Sequence, residues 1–185
     1  MEITSLLKLV VGKLDKLQIP YVLTGGLAVS FWGSPRSTHD IDIIIEIDKS
    51  YIGGLVKAFQ KDFFIQQEVV EEMLRRGTSF NAIHHKTGLK VDFWPVDKKD
   101  QHKILEFQRA PKKDIFGKVV SIIAPEDLII VKLQWYKESE SSRHLADIKS
   151  ILKISQVDME YIKKWAKQHS TLEIFEQIID DVKKY

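Results

Sequence analysis

The chain has 185 residues, no cysteine, and 28 Lys plus Arg against 26 Asp plus Glu, a formal net charge of +2. That length, with 44% hydrophobic residues, suits one globular domain or one domain with a small appendage. The missing cysteines exclude disulfides, thiolate zinc sites and cysteine nucleophiles, and the balanced charge gives no argument for a nucleic-acid surface.

From the start, Leu6, Leu7, Val10, Val11, Leu14 and Leu17 recur at helical spacing and predict an amphipathic helix over 2–17, ending before Pro20. Its lysines leave neither the apolar core nor the cleavage site of a signal peptide, and no later run reaches the length of a membrane span. The expectation is a soluble cytoplasmic protein with no membrane partner. A short strand, Tyr21 to Thr24, stops at Gly25-Gly26, and a helix from Leu27 to Trp32 closes at Gly33 and Pro35. The run IDIIIEI reads as a central strand buried on both faces. A helix over 50–60, an edge strand in DFFIQQ and a short helix over 69–75 follow. TSFNAIHH and LKVDFWPV flank Lys86-Thr87-Gly88 as a hairpin, and GKVVSII is a further strand. Beyond Pro125, placed at a helix start, the pattern is helical over 125–138, 142–153, 158–168 and 172–183. The fold class is therefore α+β: a mixed β-sheet core with flanking helices over 1–124, then a C-terminal helical region over 125–185 packed against it.

The stretch GGLAVSFWGSPRSTHDIDIII concentrates the chemistry. Alternate strand residues share a face, so Asp40 and Asp42 point the same way with backbones about 6.6–7 Å apart. Side chains at that spacing can converge on one cation or bracket two. Carboxylates suit Mg²⁺, which keeps several waters and takes further ligands from substrate phosphates. A bare D-x-D at a strand end is common, and facing water would explain it. Two further features shift that balance. Asp92 interrupts the apolar strand between Val91 and Phe93, where a metal-directed role gives an acid a reason to be. Gly25-Gly26 lies between a strand and a helix, where backbone N–H groups can cradle phosphate.

These four elements, in this order, resemble the nucleotidyltransferase superfamily with the DNA polymerase β-like catalytic fold. There a G-[GS] turn precedes a helix, D-x-D opens the next strand and a third Asp sits on a later strand. The form with Arg36 and Thr38 before the acids is most similar to AbiEii-type toxins and related stand-alone bacterial nucleotidyltransferase-like proteins. APEDLIIVKLQWY…RHLADIKSIL resembles that subgroup's helical region: Lys132 matches its lysine, and Arg143, Leu145, Asp147 and Ile148 match its second motif. His144 departs from it, standing where an acid is usual.

The resemblance implies transfer of a nucleoside monophosphate from an NTP such as ATP to an acceptor, releasing pyrophosphate, with Mg²⁺ or Mn²⁺ as cofactor. It implies Asp40, Asp42 and Asp92 as catalytic and metal-binding residues, Asp92 either activating the acceptor hydroxyl or completing a second metal site. Gly25 and Gly26 would face the phosphates. The acceptor is open among small molecule, protein and RNA (tRNA included), and an antitoxin partner goes with the toxin reading. A catalytically silent nucleotide-binding module of the same fold is the alternative.

Other candidates have competing explanations. Arg36 can clamp a phosphate bidentately or pair with Asp40 or another carboxylate to orient the loop. Thr38 is a nucleotide-binding candidate beside the acids, or hydrogen-bonds the loop as a cap. Lys132, among Leu128, Ile129, Val131 and Leu133, either snorkels to solvent or reaches a triphosphate, the role the resemblance favours. His84 and His85 point to opposite faces and cannot share a metal, so a core histidine is the simpler account. Phe63, Phe64, Phe93 and Trp94 read as core, and Trp32 as core rather than the floor of a base pocket.

Overall fold

The computed structural model describes residues 2–183. The chain divides into two units, one running to Leu27 and resuming over Ser37–Ile122, the other formed by Ala28–Arg36 and the chain from Ile123 onward. The expected division at 124 leaves out that exchange. It arises because residues 28–36 find their partners far along the chain. Trp32 Nε1 donates to the Ile123 carbonyl at 2.8 Å, and Ser155 Oγ donates to the Trp32 carbonyl at 2.6 Å. Gly33 lies so near Ser150 and the Ile151 amide (3.1 Å from an added Cβ) that a side chain there would collide.

In the first unit, α1 (Ile3–Lys16) is followed by β1 (Tyr21–Thr24) and by the start of α2 (Gly25–Trp32). Then come β2 (Asp40–Ile45), a 3₁₀ turn (Lys49–Tyr51), α3 (Ile52–Phe59), β3 (Phe63–Phe64) and α4 (Gln67–Arg76). The unit ends with β4 (Phe80–His84), β5 (Lys90–Pro95), α5 (Gln101–Arg109), β6 (Lys112–Ile115) and β7 (Lys118–Ser121). The sheet order is β1-β2-β5-β4-β3; β2 and β5 run parallel and the other neighbours antiparallel. β6 and β7 form a separate ribbon, joined to β1 by one parallel bridge from Leu23 to Ile122.

Alternation divides this sheet into two unlike faces. Leu23, Ile41, Ile43, Ile45, Val91, Phe93 and Ala82 are all 0% exposed on one of them. Phe59 of α3 meets Phe93 edge-on at 5.5 Å, and Phe93 stacks on Phe80 at 5.1 Å. Leu6, Leu7, Val10, Val11 and Leu14 of α1 are fully buried, each stabilising by about 1.5–3 kcal/mol. The other face carries Asp40, Asp42 and Asp92, all half-buried. β2 is thus buried on both faces only in its second half, where Ile44 is covered as well, and not along its whole length as its isoleucines suggest. Phe64 corrects a second expectation: it is exposed at the end of a two-residue edge strand.

The second unit is helical: α6 (Pro125–Ser139), α7 (Ser142–Ile154), α8 (Met159–Gln168) and α9 (Leu172–Lys183), with Ala28–Trp32 of α2. α6 packs on α7 and α8, and α9 on α7 and α8. Leu128, Ile129, Leu133, Ile148, Ile151, Ile162 and Phe175 fill the interior. Asp158 caps α8, accepting from the amides of Glu160 and Tyr161, and Tyr161 OH donates to buried Asp127 at 2.7 Å. The final Lys184 and Tyr185 of the expected helical region lie outside the described residues. Among the described residues, no helix is long and apolar enough to cross a membrane.

Candidate active site

Strand register builds the site. Thr24 lies opposite Asp42, Asp42 opposite Asp92, and Asp92 opposite Asn81, so one polar row crosses β1, β2, β5 and β4. Paired residues on neighbouring strands share a face, which brings the acids together although they are 50 residues apart. The next row pairs Asp40 with Lys90. Thr38 Oγ1 donates to Asp40 Oδ1 at 2.7 Å, so the threonine orients a site carboxylate. Trp94, expected in the core, is only half-buried, on the acid face, with its indole Nε1 3.4 Å from Asp42 Oδ1.

Gly25 begins α2 at φ +65°, and the helix starts there and not at Leu27. A Cβ at Gly25 would overlap the Asp42 carboxylate, with Asp42 Cβ 2.6 Å away, so the absence of a side chain lets the acid lie against the helix start. Gly25 and Gly26 are both buried.

Lys90 is the site residue that the sequence reading missed. Its Nζ lies 2.9 Å from Asp92 Oδ2, and its side chain is 43% exposed. The ion pair with Asp92 and the charges of Asp92, Asp40 and Asp42 hold the ammonium above the ordinary lysine range, against the opposing pull of burial. The available signal was its position two residues before Asp92, on the same strand face.

The donor chemistry fits a hard divalent cation: Asp42 and Asp92 are carboxylates in register, and Mg²⁺ is commonly held by one or two carboxylates plus phosphates and water. Among the described residues, no group of three His, Cys, Asp or Glu side chains is gathered to hold a metal ion. The three acids therefore share a face without forming a complete protein cage.

Arg36 and Lys132 belong to the second unit, and both are engaged by Asp147. Arg36 donates from Nε at 2.8 Å and from a terminal nitrogen at 3.2 Å, while Lys132 Nζ lies 2.9 Å from Oδ2. Of the two roles open to Arg36, pairing with a carboxylate is seen, and that carboxylate is Asp147, not Asp40. Lys132 is 3% exposed, does not snorkel, and lies over the Trp135 ring at 5.1 Å. His144, edge-on to Trp135 at 5.6 Å, is held below the ordinary histidine pKa by burial and then by the Lys132 charge. His84 is a core histidine, buried against Phe63, with Nδ1 2.9 Å from Thr87 Oγ1. A cavity of about 380 Å³ lined by Asp15, Tyr21, Lys112 and Val119 sits at the Tyr21 end of β1, whereas Asp42 is opposite Thr24 at the other end.

Comparison with known proteins agrees with this architecture. The solution structure of the antibiotic-resistance factor ANT(2'')-Ia is similar at TM-score 0.61 and 15% identity, over 94% of this chain and 95% of that one. An antigenic nucleotidyltransferase-like protein from Paracoccidioides brasiliensis follows at 0.58 and 22%, over 82% and 74%. Lincomycin-bound LnuA, a lincosamide antibiotic adenylyltransferase, gives 0.54 and 12%, over 80% and 96%. No curated protein matches significantly. These likenesses establish the fold. The family described as nucleotidyltransferase of unknown function (DUF6036) matches residues 1–183, nearly the whole sequence, and the chain belongs to it.

Proposed function

We propose that the chain transfers a nucleoside monophosphate from an NTP to an acceptor hydroxyl in a reaction dependent on Mg²⁺ or Mn²⁺. The observation that carries this reading is the Asp42–Asp92 pair, in register on adjacent parallel strands with Gly25 held against Asp42. The divalent ion, held by Asp42 and Asp92 with Asp40 beside them, would supply charge neutralisation at the phosphates. Asp92 accepts the proton of the attacking hydroxyl. The hydroxyl oxygen bonds to the α-phosphorus, the α–β bridging P–O bond breaks, and its electron pair leaves with pyrophosphate. Thr38 fixes the Asp40 carboxylate, and we assign the first backbone amides of α2, at Gly25 and Gly26, to the phosphates.

For the acceptor, we favour a small molecule bearing a hydroxyl. One structural neighbour is named as an antibiotic-resistance factor and another as a lincosamide antibiotic adenylyltransferase, and the near-balanced charge of this chain gives no argument for a broad basic surface for RNA. The test is incubation with labelled NTPs, Mg²⁺ or Mn²⁺ and a panel of small-molecule, protein and RNA acceptors, wild type against Asp42→Asn. Transfer should fall at least 100-fold, while the melting temperature holds or rises because Asp92 loses a like-charged neighbour. Equal transfer by the variant would sink the assignment. One observation favours the silent module: Lys90 already occupies the carboxylate assigned as base. Metal-dependent NTP binding without transfer to any acceptor would select it.

A further inference from the structure

Asp92 is paired to a cation supplied by its own strand. Lys90 stands two residues before it on β5, on the same face, directly opposite Asp40, with Nζ 2.9 Å from Asp92 Oδ2. The polar row and its neighbour thus carry three carboxylates and one ammonium, a formal charge of −3 + 1 = −2 from Asp40, Asp42, Asp92 and Lys90. Lys90 is not locked in place. Its side chain is 43% exposed, and a lysine ammonium is a compact, strongly hydrated charge on a flexible stem. The exchange of that ammonium between Asp92 and water needs no movement of the backbone.

We propose that Lys90 is a built-in counter-cation that competes with the divalent ion for Asp92. It relieves repulsion among the acids when metal is absent and weakens capture of metal alone. Metal binding and the release of Lys90 from Asp92 are therefore one coupled event, and the freed ammonium is then available to an anionic substrate. A neighbouring charge that favours the ionised carboxylate also repels an incoming cation, so its net effect on a divalent ligand is opposed to its effect on the acids.

The inference rests on the metal-dependent reading above, and its test separates the two. Mn²⁺ alone is titrated into wild type, Lys90→Met, Lys90→Gln, Lys90→Arg and Asp42→Asn, and binding is read by electron paramagnetic resonance and calorimetry. Removing one positive charge next to a divalent site should tighten Mn²⁺ binding about tenfold in the Met and Gln variants. The Arg variant should stay within about twofold of wild type, since it keeps the charge. Saturable, Asp42-dependent binding with equal or weaker affinity in both neutral variants overturns the role of Lys90 and leaves the metal site standing. Binding that is absent in wild type and in both neutral variants, or that persists in Asp42→Asn, overturns the metal site and this inference with it.

Discussion

Asp147→Asn is expected to destabilise the protein strongly although Asp147 is not among the three sheet acids. The carboxylate is 3% exposed and holds Arg36 through two nitrogens at 2.8 and 3.2 Å and Lys132 at 2.9 Å. Arg36 keeps 23% exposure and can rehydrate, whereas the Lys132 side chain at 4% cannot. Asparagine keeps the shape but leaves the lysine buried without a counter-charge, a loss of about 3–5 kcal/mol. Whole-protein stabilities are about 5–15 kcal/mol, so a large fraction would be lost, equivalent to a fall in melting temperature of about 6–20 °C. Urea unfolding of wild type, Asp147→Asn, Lys132→Met and the double variant measures it. The double variant should be more stable than Asp147→Asn, with a coupling of at least about 2 kcal/mol, because no unpaired ammonium remains. A loss below about 1 kcal/mol in Asp147→Asn would refute the reasoning, since it would mean that Lys132 reaches water without its partner.

Two other outcomes follow from single residues. Gly25→Ala sets a side chain at φ +65° against the Asp42 carboxylate. Nucleotidyl transfer should drop about 100-fold, as displacement of a reacting group by about 1 Å does, with a fall of only a few degrees in melting temperature; unchanged transfer would disprove the close fit. His84 is held below the ordinary histidine range mainly by burial, with the charges of His85 and Lys86 adding and that of Asp62 opposing. A lowered folded-state pKa means the neutral ring is preferred on folding, so the contribution is intact above the unfolded value of about 6.5 and is lost as pH falls below it. The urea midpoint should therefore drop less between pH 7.5 and 5.0 in His84→Gln than in wild type, and equal drops would contradict the assignment.

Which elements the sequence disclosed follows from what it buries. Regular apolar spacing announced α1 and α6 through α9, while a β-branched apolar run and a hairpin connection announced the strands that carry the acids. α5 went unread because its two buried residues are His102 and Glu106, which no hydrophobic pattern reveals. Its usable signal was Asp100, whose side chain caps the helix by accepting from the amides of His102 and Lys103. β6 buries only Ile115 among lysines and an aspartate. At the candidate site, the shared face of Asp40 and Asp42 was legible through alternation, Asp92 drew notice by interrupting an apolar strand, and Gly25 by standing between a strand and a helix, all of them local signals. Lys90 carried a local signal too, two residues before Asp92 on the same strand face, and only its place opposite Asp40 depends on the register of β5 against β2. The attachment of Arg36 and Lys132 to Asp147 was hidden, since it depends on contacts 111 and 15 residues distant.

The row Thr24–Asp42–Asp92–Asn81 has a further consequence for folding. A slip of β5 by one position against β2 would turn Asp92 toward the layer packed on Phe59 and push Val91 and Phe93 outward. A bare carboxylate in that layer is far more costly than a misplaced isoleucine, because apolar residues tolerate either side of a pleat better than charge tolerates oil. Each acid therefore acts as a veto on misaligned pairing. The residues assigned to chemistry also proofread the sheet that displays them, and a neutral replacement at Asp92 should loosen alignment as well as reactivity.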